Sequence, residues 1–356
     1  SGSGPTDRNG NSPAFSGPNN SLAMLAEGLA ANGIASLRYD KRGIGASRSA
    51  GSGGEASLRF THFISDASGW IQQLRADPRF STVTVAGHSE GSLIGMVAAR
   101  ESKADGYVSI AGSGRAAPVI IAEQLSAQLP PAMLEQVVAM MAKIERGEKV
   151  DSVPPMLAGL FRPSVQPYLT SWFAFDPAKE IARLAVPALV VQGTTDLQVK
   201  VADANLLAAA KPGARLVVIE GMNHVLKAVS GPIGAQLLSY SDPELPVVPQ
   251  LITEIATYVT SLSEESSPRA KDSLIGIDKL KHFLLAGFVE GVAFAGLQAA
   301  GASRIESLAV AGISAAAVSL GRERHDRRTT GLFSFGDLVW DALGAGAAML
   351  VLTRVR

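Results

Sequence analysis

The chain has 356 residues, a length that suits about two domains. Its 32 Lys+Arg balance 32 Asp+Glu, so it lacks the basic excess of a general nucleic-acid binder. With no cysteine, disulfide scaffolds, thiolate metal sites and cysteine nucleophiles are excluded together. Only 18% of residues are charged and the mean hydropathy is +0.20, values that call for a stretch more apolar than a soluble enzyme needs.

The opening run, residues 1–12, is a loop by composition. No charged-then-apolar signal segment stands before it, which leaves either removal of such a segment or a start inside a larger product. From Ser21 to about Leu262, short apolar runs alternate with helical patterns. Strands are predicted at 34–39, 82–86, 107–111, 188–192 and 215–219, and helices near 21–31, 61–76, 91–103, 202–210 and 248–262. Apolar strands each followed by a helix predict an α/β fold, a parallel sheet covered on both faces. Between Ser113 and Pro187 the alternation stops. Helices broken at Pro130-Pro131 and Pro154-Pro155, with Phe161, Tyr168, Trp172, Phe173 and Phe175 near the end, predict a helical cap over the strand ends. Met133, Met140, Met141 and Met156 belong to the core of that cap or line an acyl pocket.

Residues 263–273 are polar and breaker-rich and are assigned to a linker between a hydrolase-like domain, 1–262, and a C-terminal domain, 274–356. In the latter, 283–303, 305–321 and 339–353 each carry a single formal charge, Glu290, Glu306 and Asp341 respectively. A helix of about 20 residues is about 30 Å long, near the hydrocarbon thickness of a bilayer. A small helical, membrane-spanning domain is therefore predicted, with a turn at 303–306 and a charged loop at 322–328. The alternative is a set of soluble packed helices, since Gly and Ala dominate.

The chemistry-bearing motif is Gly87-His-Ser-Glu-Gly91, between a predicted strand and a predicted helix. This G-x-S-x-G pattern arises by chance in isolation, so its setting decides. A strand that reverses into a helix needs small residues on either side of a strained Ser89, and the helix N-terminus then offers the Glu90 N–H to an oxyanion. A serine needs an imidazole to take its proton, and the imidazole needs a carboxylate to orient it. Of five histidines, His224 lies just past the last strand, and Asp196 just past the strand before it. Both therefore fall on the strand carboxyl edge where open α/β sheets gather their sites. The expected catalytic set is Ser89, Asp196 and His224; the alternative reads the last two as a turn aspartate and a satisfied loop histidine. His88 is expected to pack in the elbow, and His62, early in a helix, to be structural.

Residues 2–11, 38–47, 87–91, 192–196 and 223–224 together resemble the α/β-hydrolases of the serine-aminopeptidase-like or prolyl-oligopeptidase-like group, across residues 1–262. The resemblance implies that the loop at residues 2–11 supplies the second oxyanion donor, Ser3 first and Gly4 next. It also implies that several strands stand before that loop, so the sequence reads as amino-terminally truncated. The turn at 40–47 is expected to be held by Asp40 and Arg42. In the C-terminal domain, residues 278–283, Gly321, Glu323, Asp326, Asp337 and 341–344 resemble the YfiM lipoprotein and VanZ-like families. His282 with Glu323 or Asp341 is expected to form a polar cluster, the alternative being solvated helix ends. Basic residues at the linker and at 322–328 favour a cytoplasmic face for both, against the periplasmic placement that the lipoprotein resemblance implies; either way the membrane expected is an inner membrane.

No phosphate cradle, dinucleotide fingerprint or metal-ligand spacing appears, so no cofactor and no metal is expected. The expected function is a serine hydrolase cleaving a carboxylic ester or thioester. Alternatives are an aminopeptidase-like amide hydrolase acting on a peptide-like substrate, a non-catalytic module of the same fold, and a protein whose membrane segment is the functional part.

Overall fold

The structure, a computed structural model, describes residues 1–51, 53–266, 277–329 and 334–354. Two compact units divide the chain, Ser1–Ser266 and Ser267–Arg356.

In the first unit, helices α1 (Ser21–Ala31) and α2 (Phe60–Ala76) precede β1 (Thr84–His88), α3 (Glu90–Ser102) and β2 (Gly106–Ile110). Five helices follow: α4 (Ala117–Ser126), α5 (Pro131–Glu145), α6 (Ala158–Phe161), α7 (Gln166–Phe173) and α8 (Pro177–Ala182). The alternation then resumes with β3 (Ala188–Gly193), α9 (Val201–Ala210), β4 (Arg215–Ile219), α10 (Ile233–Leu238) and α11 (Pro249–Ser266). The strands lie in the order β1-β2-β3-β4 and all pair in parallel, with Ala86 opposite Val108 and Val108 opposite Leu189.

Successive strand residues point to opposite faces, and the two cores divide accordingly. Tyr107 and Val190 join Phe60, Ile64, Met96 and Val97 of α2 and α3 on one side. Val108, Leu189 and Val191 join Leu25 and Leu29 of α1 and Leu251 and Ile255 of α11 on the other. A sheet buried on both faces explains why β2 and β3 lack polar alternation. The cap has its own core, in which Val137, Met140, Met141, Ile144, Phe161 and Phe173 cluster. Met156 is exposed. Pro131 opens α5, where a missing N–H costs nothing, and Asp176 caps α8 by accepting from the N–H of Ala178 at 3.1 Å and of Lys179 at 3.4 Å. Phe60 stacks on Trp172 at 5.9 Å, fastening the cap to α2.

Two expectations for this unit are corrected. Residues 34–39 form no strand: the segment has no ladder partner among the described residues, and Leu37 is exposed. A strand exists only through a neighbour that takes up its backbone groups. Residues 263–266, assigned to the linker, continue helix α11, which no glycine or proline interrupts before Ser266. The rest of the expected linker, 267–273, lies outside the described residues.

The second unit consists of α12 (Ile277–Ala299), α13 (Arg304–Thr329) and α14 (Phe335–Arg354). All three contain stretches long and apolar enough to cross a membrane: Lys279–Ala299, Arg304–His325 and Phe335–Arg354, with hydropathies of 1.4, 1.3 and 1.5. Close packing of α12 on α14 depends on small residues. A Cβ on Gly344 would sit 2.0 Å from the Phe283 carbonyl oxygen. Polarity is inverted relative to a soluble bundle. Lys279, His282, Glu290, Glu323 and Asp341 are buried, while Leu284, Phe288, Ile313 and Leu350 are exposed. At the expected turn, Ser303 and Glu306 form a reciprocal cap: the Ser303 N–H donates to Glu306 Oε2 at 3.0 Å and the Glu306 N–H to Ser303 Oγ at 3.3 Å. The expected charged loop at 322–328 is instead helical, part of α13. Arg and Glu are strong helix formers, and no breaker interrupts the run.

Candidate active site

Ser89 stands between β1 and α3 with φ 56° and ψ −123°, a positive φ that a non-glycine residue adopts only under constraint. The constraint is the close passage of strand and helix. A Cβ on Gly87 would lie 2.1 Å from the Gly91 carbonyl oxygen, and one on Gly91 would lie 2.6 Å from the Ser1 carbonyl oxygen. Glu90 opens α3, so its N–H is among those with no partner inside the helix.

Asp196 and His224 arrive from the ends of β3 and β4. A third glycine makes their approach possible: a Cβ on Gly193 would collide with the Met222 carbonyl oxygen at 1.9 Å. Asp196 Oδ1 accepts the N–H groups of Gln198 at 2.7 Å and Val199 at 2.9 Å. Its Oδ2 accepts from Gln192 Nε2 at 3.0 Å and from His224 Nδ1 at 2.8 Å. Burial pushes the Asp196 carboxyl up, but His224 and the two backbone donors outweigh it, and the group is held below the usual carboxylate range. It is therefore an anion at neutral pH, and His224 Nδ1 carries the proton of their bond. Asn223 fixes the loop by accepting the N–H groups of Val225 and Lys227, both at 3.1 Å, and donating to Ser239 Oγ at 2.7 Å.

Asp196 and His224 are thus joined as expected, at the edge where Ser89 lies. No hydrogen bond links Ser89 to His224 among the described residues; in ligand-free sites such bonds are often long and tighten only with substrate. His88 packs in the elbow: its Nε2 donates to the His224 carbonyl oxygen at 2.8 Å, and the two rings lie 4.9 Å apart. Burial, with His224 close by, pushes its pKa down to about 3, so it is neutral. His62 Nδ1 accepts the Arg59 N–H at 3.3 Å at the start of α2, a structural role.

In the first loop, Gly2 packs directly on the serine. A Cβ there would lie 3.3 Å from Ser89 Cβ and 3.7 Å from its Oγ. Ser3 and Gly4 follow on the exposed side, Gly4 at φ +66°. Asp40 holds the 40–47 turn by accepting from the Arg8 and Ala46 N–H groups at 2.7 and 2.8 Å, whereas Arg42 reaches out to Asp66 on α2.

Sequence reasoning missed a buried polar link beneath the serine. Lys41 Nζ donates to the Gly2 carbonyl oxygen at 2.6 Å and to Glu90 Oε2 at 3.0 Å, and Tyr168 of the cap donates to Glu90 Oε1. Burial first, and then the Glu90 charge, push the Tyr168 hydroxyl well above its usual pKa. The link ties together the first loop, the serine elbow and the cap. Its only trace in the sequence is the 38–47 run, which does not say whom Lys41 meets. An open cleft of about 450 Å³ lies between residues 5–18 and 43–48. It includes none of Ser89, Asp196 and His224, so it is not the reacting centre.

A parallel sheet with a strained serine elbow after one strand, and an Asp–His pair on the two later strand ends, is the α/β-hydrolase arrangement. Residues 19–227 match the family described as serine aminopeptidase, S33, and the chain belongs to that family. Among curated proteins it is similar to esterase EstD of Thermotoga maritima, 28% identical over 237 residues that make up 65% of this chain and 54% of the relative. The chain thus spans about half the length of that relative. Similar solved structures include Est1E from Butyrivibrio proteoclasticus, at 14% identity and a TM-score of 0.44, covering 70% of this chain and 84% of that one. A monoacylglycerol lipase from Paleococcus ferrophilus, at 15% identity and a TM-score of 0.42, covers 70% of this chain and 91% of its own.

Proposed function

We propose that the protein is a serine hydrolase that cleaves a carboxylic ester or thioester with Ser89, His224 and Asp196. The observation that carries this reading is the buried Asp196–His224 bond beside a serine held at positive φ. Asp196 occupies His224 Nδ1, which leaves Nε2 as the nitrogen that takes the serine proton. Ser89 Oγ attacks the acyl carbon, and the Glu90 N–H, with Ser3 as its partner donor, receives the developing oxyanion. His224 then returns the proton to the departing alcohol or thiol. Water, activated by the same imidazole, releases the acid and restores Ser89. The relationship to an esterase supports the ester class. Amide cleavage at a peptide amino terminus is the weaker reading: Glu90, the carboxylate next to Ser89, is engaged by Lys41 and Tyr168 and so is not free to hold a substrate ammonium. Turnover of aryl acetates by the protein and its Ser89→Ala variant tests the assignment. The variant should lose at least about three orders of magnitude in kcat, and near-normal turnover would refute the role of Ser89.

The C-terminal unit is read as a small membrane domain similar to the YfiM lipoprotein and VanZ-like families, which would hold the hydrolase at an inner membrane. Its exposed apolar and buried ionisable side chains support the membrane reading. Resistance of the protein to carbonate extraction tests it, and release into the soluble fraction without detergent would refute it.

A further inference from the structure

The three helices of the C-terminal unit bring together ionisable side chains that the hydrolase reading does not use. His282 of α12, Glu323 of α13 and Asp337 of α14 each offer a ligand atom, and these atoms all lie within 4.8 Å of one another. His282 and Glu323 are buried, and Asp337 is half-buried. From these residues we propose a site for a divalent first-row transition ion such as zinc, held by His282 Nε2 and the carboxylates of Glu323 and Asp337, independent of the ester-hydrolysis site.

Two observations carry the proposal. The first is the orientation of the imidazole. His282 Nδ1 bonds Asp341 Oδ1 at 3.1 Å, while Nε2 stands 3.5 Å from Asp337 Oδ1. A carboxylate on one ring nitrogen fixes the tautomer that presents the other to a metal. The second is that the carboxylates are held in place. The Ser334 N–H donates to Glu323 Oε2 at 2.9 Å, and Lys279 Nζ donates to Asp337 Oδ1 at 2.6 Å. One nitrogen with two carboxylate oxygens suits zinc and its neighbours better than calcium or magnesium. Ligands at about 2.0–2.2 Å from zinc stand about 3.4 Å apart, so side-chain rotations of about an ångström would close the set. The three ligands come from three helices; the sequence predicts His282 with Glu323 or Asp341 as a polar cluster but not Asp337 as its third member.

The test uses the full chain, purified in detergent, stripped with a chelator and titrated with zinc against a chromogenic competitor. One zinc per chain is expected. His282→Gln and Glu323→Gln should abolish it, and Asp341→Asn should weaken it by about 10–100-fold, as loss of an orienting partner does. Unchanged helical circular dichroism certifies the variants. Cobalt added to the unaltered protein gives a readout that needs no variant: intense visible bands of a low-coordinate ion are expected. Less than stoichiometric zinc, the weak spectrum of hydrated cobalt, or equal binding by the His282→Gln and Glu323→Gln variants would overturn the site and leave an ion-pair cluster centred on protonated His282.

Discussion

Replacing Asp196 by Asn keeps the size of the side chain but removes its charge, and the structure dictates the consequence. All four partners of the carboxylate are donors: two backbone N–H groups on Oδ1, and Gln192 Nε2 and His224 Nδ1 on Oδ2. An Asn amide has one NH2, so whichever way it turns that group must face two donors. If it faces the backbone pair, two buried N–H groups lose their acceptor. If it faces His224, the imidazole must move its proton to Nε2, the nitrogen that the proposed mechanism needs to accept from Ser89. In the chymotrypsin-type precedent this change costs about 10⁴ in kcat, or about 5.4 kcal/mol of transition-state stabilisation, and a loss of 10³–10⁴ is expected here with KM little changed. The assay is steady-state hydrolysis of p-nitrophenyl acetate across pH, with circular dichroism to certify the fold. The unaltered protein should show one ascending ionisation that vanishes in His224→Ala. A kcat for Asp196→Asn within about tenfold of the parent, with the same pH profile, would refute the reasoning.

Lys41→Met strands Glu90 in the interior, and breaking one side of a buried ion pair costs about 3–5 kcal/mol. The denaturation midpoint should fall accordingly, and kcat should drop as the Gly2 carbonyl is released; Lys41→Met with Glu90→Gln should recover much of the stability but not the rate. Gly193→Ala forces a Cβ onto the Met222 carbonyl oxygen, so it should cost at least about 1–3 kcal/mol and lower kcat by disturbing both Asp196 and His224, measured by urea unfolding and turnover. His88 has a folded pKa lowered from 6.5 to about 3. Between those values the unfolded chain binds the extra proton, so stability is full above about pH 6.5 and falls on acidification. The loss is on the order of 4 kcal/mol by pH 3. His88→Gln should show a shallower fall between pH 7 and 4.5 in urea titrations.

The elements most legible in the sequence were those whose local pattern and tertiary role agree. The strand at 188–192 is apolar because the sheet there is covered on both faces, and the structure has it at Ala188–Gly193. The strand at 215–219 lies at the sheet edge, only partly covered, at Arg215–Ile219. Ser89 was legible because the elbow demands its glycines, and Asp196 and His224 because each follows a strand. Residues 34–39 carry a strand pattern, but strand formation also needs a neighbour, which no local pattern encodes. Charged residues 322–328 looked like a loop by polarity, yet Arg and Glu lengthen a helix readily. Lys41, Glu90 and Tyr168 were illegible as a unit, since they lie far apart in the chain and meet only when cap and sheet close. In the C-terminal unit the polar cluster of His282 with Glu323 or Asp341 was legible from ionisable groups at apolar helix ends, and the His282–Asp341 bond bears it out; that Asp337 joins His282 and Glu323 was not.

The central claim is that Ser89 is a nucleophile activated by His224. Labelling of the intact protein with a fluorophosphonate, followed by peptide mass spectrometry, tests it without knowledge of the natural substrate. The account predicts a phosphonyl adduct on Ser89, absent from Ser89→Ala and slowed by orders of magnitude in His224→Ala. A protein that takes up no label, or one whose Ser89 labels equally fast without His224, would contradict it.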